Sequence, residues 1–401
     1  MTRLALWCAA ALLAALLPVT PAAAAVTCAK PGTTYAQKPW AEQLLGTERV
    51  APFARGAGVT VAVLDTGVDR RHPQLAGHVD AGYNAVTRKN GADSDCLGRG
   101  TALAGIIAAQ AAGGTGVAGV APGATIMPVK VIDDSGYSVV PADPVVLARG
   151  VDWAATHGAG VIVIPTAVYT DRKELREAVA RALDASVLVV AAVGDLGDDD
   201  NRTPYPASYE GVLGVGAIAP NAEVWGKSQH GTYVDVVAPG VELVTLAPGK
   251  GHLVGATGTG FAAAYVGATA ALVRAKRDLP VSAVSRLLQA TATPAAGAAY
   301  YGHGLINPYA ATTEELAPGP AAALPGMAVP PPADGGPWAR SREIALWGTA
   351  IAAVGAFLAL VLGMTLPRGR RRRWRAAEAA PPHESATDLE PSGPVLLFEE
   401  R

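Results

Sequence analysis

Four short segments carry the residues whose types and spacing could do chemistry. They are Asp65-Thr66-Gly67, Gly98-Arg99-Gly100, Gly194-Asp195 and Gly258-Thr259-Gly260. The first and third close runs that predict buried strands, and the second and fourth open runs that predict helices. The chemistry to consider is acyl transfer. It needs a nucleophilic oxygen, a base that accepts the proton near pH 7 and donors for the developing oxyanion.

The order and spacing of these segments resemble the subtilisin-like serine proteases, the subtilases, whose triad runs Asp, His, Ser along the chain. The resemblance covers about residues 50–311 and includes two later landmarks, VDVVAPG at 234–240 and YGHGLIN at 301–307. It implies a subtilisin-like α/β fold and, for a complete triad, a serine endopeptidase.

Carried over position by position, this chemistry fails. Asp65 matches the triad aspartate, but Arg99 stands at the histidine position and Gly260 at the serine position. Asp195 stands at the position of the oxyanion asparagine. Residues 163–167, Val-Ile-Pro-Thr-Ala, replace the substrate-lining Asn-Leu-Ser-Leu-Gly stretch.

The consequence is a predicted loss of proteolysis. Glycine offers no nucleophile, and arginine stays protonated, with a pKa above about 12, so it cannot act as the base. In subtilisin, loss of the serine or the histidine alone lowers the rate about 10⁶-fold. We therefore expect Arg99 to pair directly with Asp65, because that carboxylate would otherwise be buried without a partner. Arg99 turned towards solvent is the alternative.

Other interpretations remain open from the sequence alone. An active endopeptidase is the alternative function. A substitute triad would have to recruit His72 or His252 with Thr257 or Thr259. His72 lies in an HPQL run where subtilases have a structural turn. A decaying gene could also lose the triad by drift.

Six segments are predicted along the chain. They are a signal peptide at 1–25, an N-terminal arm at 26–47, the subtilisin-like domain at 48–311, a Pro/Ala-rich linker at 312–343, a transmembrane helix at 344–366 and a cytoplasmic tail at 367–401. The 344–366 run has 23 residues without a charge, long enough to span a bilayer, and an arginine-rich flank follows. The expected topology is single-pass in the cell membrane, with the N-terminal domain outside the cell.

The cysteines fit an exported chain. Cys8 leaves with the signal peptide, and Cys28 and Cys96 remain, so a disulfide is expected and two free thiols are the alternative. The whole layout looks like that of the mycosins, the membrane-anchored subtilases of actinobacterial type VII secretion systems. Cys28 and Cys96 fall where that family pairs its arm with the loop before the catalytic histidine. The resemblance implies a type VII secretion membrane complex as the partner. A peptide bound in the degenerate cleft is a further option. The alternative is that the chain is a free-standing membrane binding protein unrelated to secretion.

Composition and periodicity predict the fold class. β-Branched runs alternate with Ala-rich stretches, which predicts βαβ units and a mostly parallel sheet with helices on both faces. The predicted strands are 59–65, 125–132, 160–165 and 187–193, and the predicted helices are 101–112, 144–157, 171–185 and a buried 257–275. The formal net charge of −2 argues against nucleic-acid binding. Neither a metal nor a cofactor is expected, because the cysteines and histidines are scattered and GTGVAG at 114–119 lies outside a strand–turn–helix context.

Overall fold

The computed structural model describes residues 27–133, 142–315 and 337–371. The chain divides into two compact units, residues 1–318 and 319–401. The predicted signal peptide and the predicted cytoplasmic tail beyond residue 371 lie outside the described residues, as does most of the predicted linker.

An eight-stranded sheet forms the centre of the first unit, and a two-stranded sheet lies apart from it. The strands are β1 Thr60–Asp65, β2 Tyr83–Asn84, β3 Lys89–Asn90, β4 Thr125–Lys130, β5 Val161–Ile164, β6 Leu188–Ala192, β7 Leu213–Ile218, β8 Val236–Pro239, β9 Leu243–Leu246 and β10 His252–Ala256. The large sheet has the order β3-β2-β4-β1-β5-β6-β7-β8. All of its pairings are parallel except β2–β3, and β9 pairs with β10 in an antiparallel hairpin. The predicted mostly parallel sheet is confirmed.

Helices cover both faces of this sheet. The described helices of this unit are α1 Trp40–Leu45, α2 Arg99–Ala108, α3 Pro144–Thr156, α4 Lys173–Asp184, α5 Thr259–Lys276, α6 Val281–Ala290, α7 Ala298–Tyr301 and α8 Pro308–Thr313, with a 3₁₀ turn at Thr47–Arg49. Alternate residues of β1 enter different cores, as expected for a strand buried on both faces. Val61 and Val63 pack in the core that contains α2 and α5, whereas Ala62 and Leu64 pack in the core that contains α3 and α4.

The four predicted strands are present, each within two residues of its predicted ends. Helix α2 begins two residues before the predicted start and ends at Ala108, because Ala109 leaves helical geometry with ψ of 128°. The apolar 257–275 run forms α5, in which every residue from Thr259 to Val273 is buried. Because these residues are buried inside the domain, the apolar composition of α5 does not indicate a membrane span.

The elements that position the site meet at the carboxyl ends of the central strands. Helices α2 and α5 begin beside the carboxyl ends of β1, β5 and β6, where open α/β sheets commonly bind ligands. The chain leaves β1 through Gly67, whose φ is +98°, and a Cβ atom there would overlap the carbonyl oxygen of Ser94. Only glycine therefore fits this close approach.

The predicted disulfide is present and joins Cys28 to Cys96. It attaches the arm segment, which we define as residues 27–39, to the loop before α2. The backbone amide of Ala29 also donates to Cys96 O at 2.7 Å.

The described part of the second unit is one helix, α9, Pro337–Arg371. Residues Ile344–Met364 have a mean hydropathy of 2.2, and none is buried within the structure. Within the described residues this is the one helix long and apolar enough to cross a membrane.

Candidate functional site

A cleft of about 1160 Å³ lies where β1, β5 and β6 end. Its lining brings together the predicted positions Arg99, Asp195 and Gly260, and Asp65 lies buried directly beneath Arg99. The rest of the lining is largely apolar and includes Leu97, Ile132, Pro165, Val168, Tyr169, Leu196 and Phe261. The four positions singled out in the sequence therefore form one site.

Arg99 and Asp65 form the predicted pair. Arg99 Nη1 lies 3.3 Å from Asp65 Oδ2; the Asp65 side chain is fully buried and the Arg99 side chain is 33% exposed. Burial raises the pKa of Asp65, and the nearby charge of Asp95 raises it further, while the Arg99 guanidinium opposes both effects. The guanidinium thus serves as the counter-ion of a carboxylate that the fold places in the interior.

Two further bonds fix the position of the Arg99 side chain. Nη1 donates to Thr166 Oγ1 at 3.2 Å and Nη2 donates to Pro165 O at 2.5 Å. Arg99 therefore connects the start of α2 to the segment that follows β5. The alternative in which it turns to solvent is wrong.

Gly260 lies in a space with no room for a side chain. A Cβ atom at this position would overlap Pro165 O and would lie 2.9 Å from Pro165 Cβ and 3.0 Å from Arg99 Nη2. The first of these neighbours is backbone and the second belongs to a rigid ring, so neither can yield as the end of a flexible side chain would. The volume that a nucleophile at 260 would occupy is filled by Pro165 and Arg99.

Asp195 forms a cap for α5. Its Oδ1 accepts bonds from the Thr259 amide at 2.9 Å and from Thr259 Oγ1 at 2.7 Å. The same hydroxyl accepts the Gly194 amide at 3.1 Å. A carboxylate at a helix N-terminus is favoured by the helix dipole, so the local structure stabilises aspartate here.

The substitute-triad residues do not assemble around Asp65. The Thr259 hydroxyl is buried and donates to Asp195. The Thr257 hydroxyl donates to Gly255 O and accepts a bond from the Glu242 amide. His72 and His252 are buried elsewhere, where both are hydrogen-bonded to Gln74. Thr257 and Thr259 line the cleft with Arg99, but neither His72 nor His252 does, so this arrangement brings no base to a hydroxyl beside the Asp65–Arg99 pair.

One part of the site was not found from sequence. Tyr169 donates to Gln229 Oε1 at 2.7 Å, and the Arg202 guanidinium lies 4.8 Å from the centre of its ring. Burial raises the pKa of Tyr169 to about 12, so its hydroxyl stays protonated at neutral pH. Tyr169 and Arg202 both line the cleft. Single aromatic and basic residues separated by 33 positions carry no local signal that would predict their contact.

Three consecutive aspartates, Asp198 to Asp200, follow the cleft residue Asp195 along the chain. The described segments hold no group of three or more His, Cys, Asp or Glu side chains that could bind a metal ion.

Comparisons with known proteins give one consistent result. Residues 56–304 match the sequence model of the Subtilase family. Mycosin-1 of Mycobacterium tuberculosis is 34% identical over 413 aligned positions, which cover 89% of this chain and 92% of that protein. Subtilisin DY of Bacillus licheniformis is 34% identical over 68% of this chain and 98% of its own length. The crystal structure of MycP1 from the ESX-1 type VII secretion system superposes with a TM-score of 0.65 at 31% identity, covering 74% of this chain and 93% of that one.

Proposed function

We propose, from the premise that the chain belongs to the subtilase family, that it is a mycosin-like, membrane-anchored homologue without proteolytic activity. Its role is structural within a type VII secretion membrane complex. The observation that carries the proposal is the filled nucleophile position: Gly260 has no side chain, and Pro165 O and Arg99 Nη2 occupy the space beside it. A fixed arginine paired with Asp65 provides no base.

The hydrogen bonding at Pro165 favours a structural role over peptide binding. This residue lacks an N–H group, and its carbonyl oxygen already accepts Arg99 Nη2. An extended peptide binds an exposed strand edge through main-chain hydrogen bonds. At Pro165 the main chain has no donor to give it, and the carbonyl oxygen already accepts one bond from Arg99.

The inactivity is tested with a fluorophosphonate probe, which labels activated serines covalently. We expect no labelling of the full chain purified in detergent, under conditions in which an active subtilisin is fully labelled. Covalent labelling or hydrolysis of a general protease substrate would refute inactivity and support the alternative, an active endopeptidase.

A restoration experiment separates the missing residues from the altered scaffold. The double variant Arg99→His, Gly260→Ser restores the two side chains but leaves Pro165 against the new Cβ atom. We expect little or no activity from it. The triple variant that adds Pro165→Ser returns the family residue at that position and allows the segment to move. If the double variant hydrolysed a protease substrate measurably and as fast as the triple variant, the result would contradict the blocking role of Pro165.

The association with secretion rests on the relatives. Mycosin-1 matches nearly the whole chain, and the similar MycP1 structure comes from the ESX-1 type VII secretion system. We expect the full chain to co-purify with the membrane ATPase of such a system after gentle detergent extraction from its own host. Repeated purification of the chain alone, together with unimpaired secretion in a deletion strain, would contradict this role.

The segment boundaries and the topology are part of the proposal. The apolar run Ile344–Met364 and the arginines that follow it support a single span with a cytoplasmic C-terminus. Cleavage after Ala25 is expected and is read by N-terminal sequencing of the mature protein. A protease added to intact spheroplasts should digest residues 26–343 and leave an epitope tag at the C-terminus protected. Loss of the tag would reverse the topology.

A further inference from the structure

The arm segment is held by a pair of buried histidines that lies outside the cleft. His72 is 1% exposed and lies in the turn after β1, and His252 is 5% exposed and begins β10. The Tyr35 amide on the arm segment donates to His252 Nδ1 at 2.9 Å. The Tyr35 carbonyl accepts the Thr115 hydroxyl at 2.8 Å. Tyr35 is therefore bound at both its polar backbone groups.

The hydrogen bonds around Gln74 determine which nitrogen of His252 carries the proton. Gln74 Nε2 donates to Gln110 O at 2.8 Å and to Val117 O at 2.9 Å. Its other terminal atom, Oε1, is thus an acceptor, and it lies 3.0 Å from His252 Nε2. His252 therefore donates from Nε2 and accepts the Tyr35 amide at Nδ1, which makes the ring neutral.

His72 is neutral by the same argument. Its Nδ1 accepts the Gln74 amide at 3.2 Å, and its Nε2 lies 3.1 Å from Gly251 O, to which it donates. Burial lowers the pKa of His72 and of His252, and the charge that His252 would carry lowers the pKa of His72 further. Both rings make these bonds only in their uncharged form.

The charged groups on the surrounding elements do not compensate for a proton on His252. The 110–119 loop has no charged residue, and the arm segment and the hairpin contribute Lys30, Lys38 and Lys250. In the turn, Asp69 raises the pKa of His72, but its oxygens already accept the Gly249 amide and Arg71. A protonated Nδ1 of His252 has Thr33 O as an acceptor at 3.3 Å, yet the Tyr35 amide then faces a donor.

We infer that the His72–His252 pair makes attachment of the arm segment sensitive to acid: protonation of His252 breaks the Tyr35 contact and frees residues 30–38 from the hairpin. The Cys28–Cys96 disulfide keeps the segment tethered, so the change is local. The outer edge of β10, where the His252 amide now donates to Thr33 O at 2.9 Å, becomes accessible in acid.

Hydrogen–deuterium exchange of the full chain in detergent tests this inference. Exchange is followed by mass spectrometry in peptides from residues 32–38 and from α5, at about pH 7.5 and about pH 5, with each rate corrected for its intrinsic pH dependence. At pH 5 an unperturbed imidazole favours the charged form about 30-fold, so we expect protection of the arm segment to fall by up to about that factor while α5 stays unchanged.

Two asparagine variants provide the matched comparison. In His252→Asn, the side-chain oxygen takes the place of Nδ1 as acceptor for the Tyr35 amide and does not titrate, so protection should stay within about threefold across this pH range. In His157→Asn, which removes an exposed histidine at the end of α3, the acid response should remain. An equal acid response in His252→Asn would overturn the inference. If that variant does not fold, the wild-type profile decides: protection that is flat, or that falls together with α5, refutes it.

Discussion

Replacing Gly260 with alanine places a Cβ atom in a space that the chain has already filled. The new atom overlaps Pro165 O and lies 2.9 Å from Pro165 Cβ. Overpacking of this kind typically destabilises a protein by about 1–3 kcal/mol. Alanine gains at most about 1 kcal/mol over glycine inside a helix, and position 260 lies in the first turn of α5, where the gain is smaller. We expect a net loss of about 1–2 kcal/mol in the free energy of unfolding.

Urea unfolding of the full chain in detergent, followed by tryptophan fluorescence, measures this loss as a lower midpoint at unchanged slope. Gly113→Ala is the matched control, because a Cβ atom at Gly113 would have no heavy atom within 4 Å and the residue needs no positive φ. That control should be neutral or slightly stabilising. If Gly260→Ala behaved like Gly113→Ala, the space would be open and the structural argument for inactivity would fail.

Three further variants test the electrostatics and the covalent link. Arg99→Ala should destabilise the fold by about 2–3 kcal/mol at neutral pH, below the roughly 3–5 kcal/mol of a fully buried pair because Arg99 is partly exposed. The raised pKa of Asp65 means that the native state holds its proton more tightly, so this carboxyl makes stability fall as pH rises from about 4, and the fall should be larger in Arg99→Ala. An equal change in denaturant midpoint between pH 5 and 8 in wild type and Arg99→Ala would contradict it. Burial raises the pKa of Glu42 to about 8, so wild type should lose a few kcal/mol more than Glu42→Gln does as pH rises from about 4.5 to 8, and parallel pH profiles of the two proteins would refute this. Removing the disulfide with Cys28→Ser and Cys96→Ser should lower stability by about 4 kcal/mol from chain entropy, and an unchanged urea midpoint would show that the arm is held by its other contacts alone.

Four strands of the parallel sheet and four helices that pack on it could be predicted, because these strands are short, apolar and bounded by turn residues. The Asp65–Arg99 contact could be predicted because a buried carboxylate needs a partner and the sequence places only one strong cation at the start of α2. The α2 boundary was less accurate, because the end of that helix is set by packing against the loop that returns from Ala109 to Gly119.

The crowding around Gly260 could not be predicted. It depends on the backbone path at Pro165 and on the Arg99 rotamer, which follow from tertiary packing. The tautomer of His252 depends on Gln74, 178 positions away, and such long-range hydrogen bonds leave no periodic pattern in a sequence. The sequence therefore identified Asp65, Arg99, Asp195 and Gly260, whereas the structure was needed to add Tyr169 and Arg202 and to show that the nucleophile position is closed.

The proximity of Pro165 to Gly260 has an evolutionary consequence. A mutation that returned serine at 260 would strain the fold and confer no catalysis while Arg99 remained, and a mutation of Arg99 alone would leave Asp65 without its counter-ion. Each single step back therefore lowers the stability of the fold before it can restore any chemistry. The route from this sequence to the family residues at 99 and 260 requires several changes at once, and Pro165 is one of them.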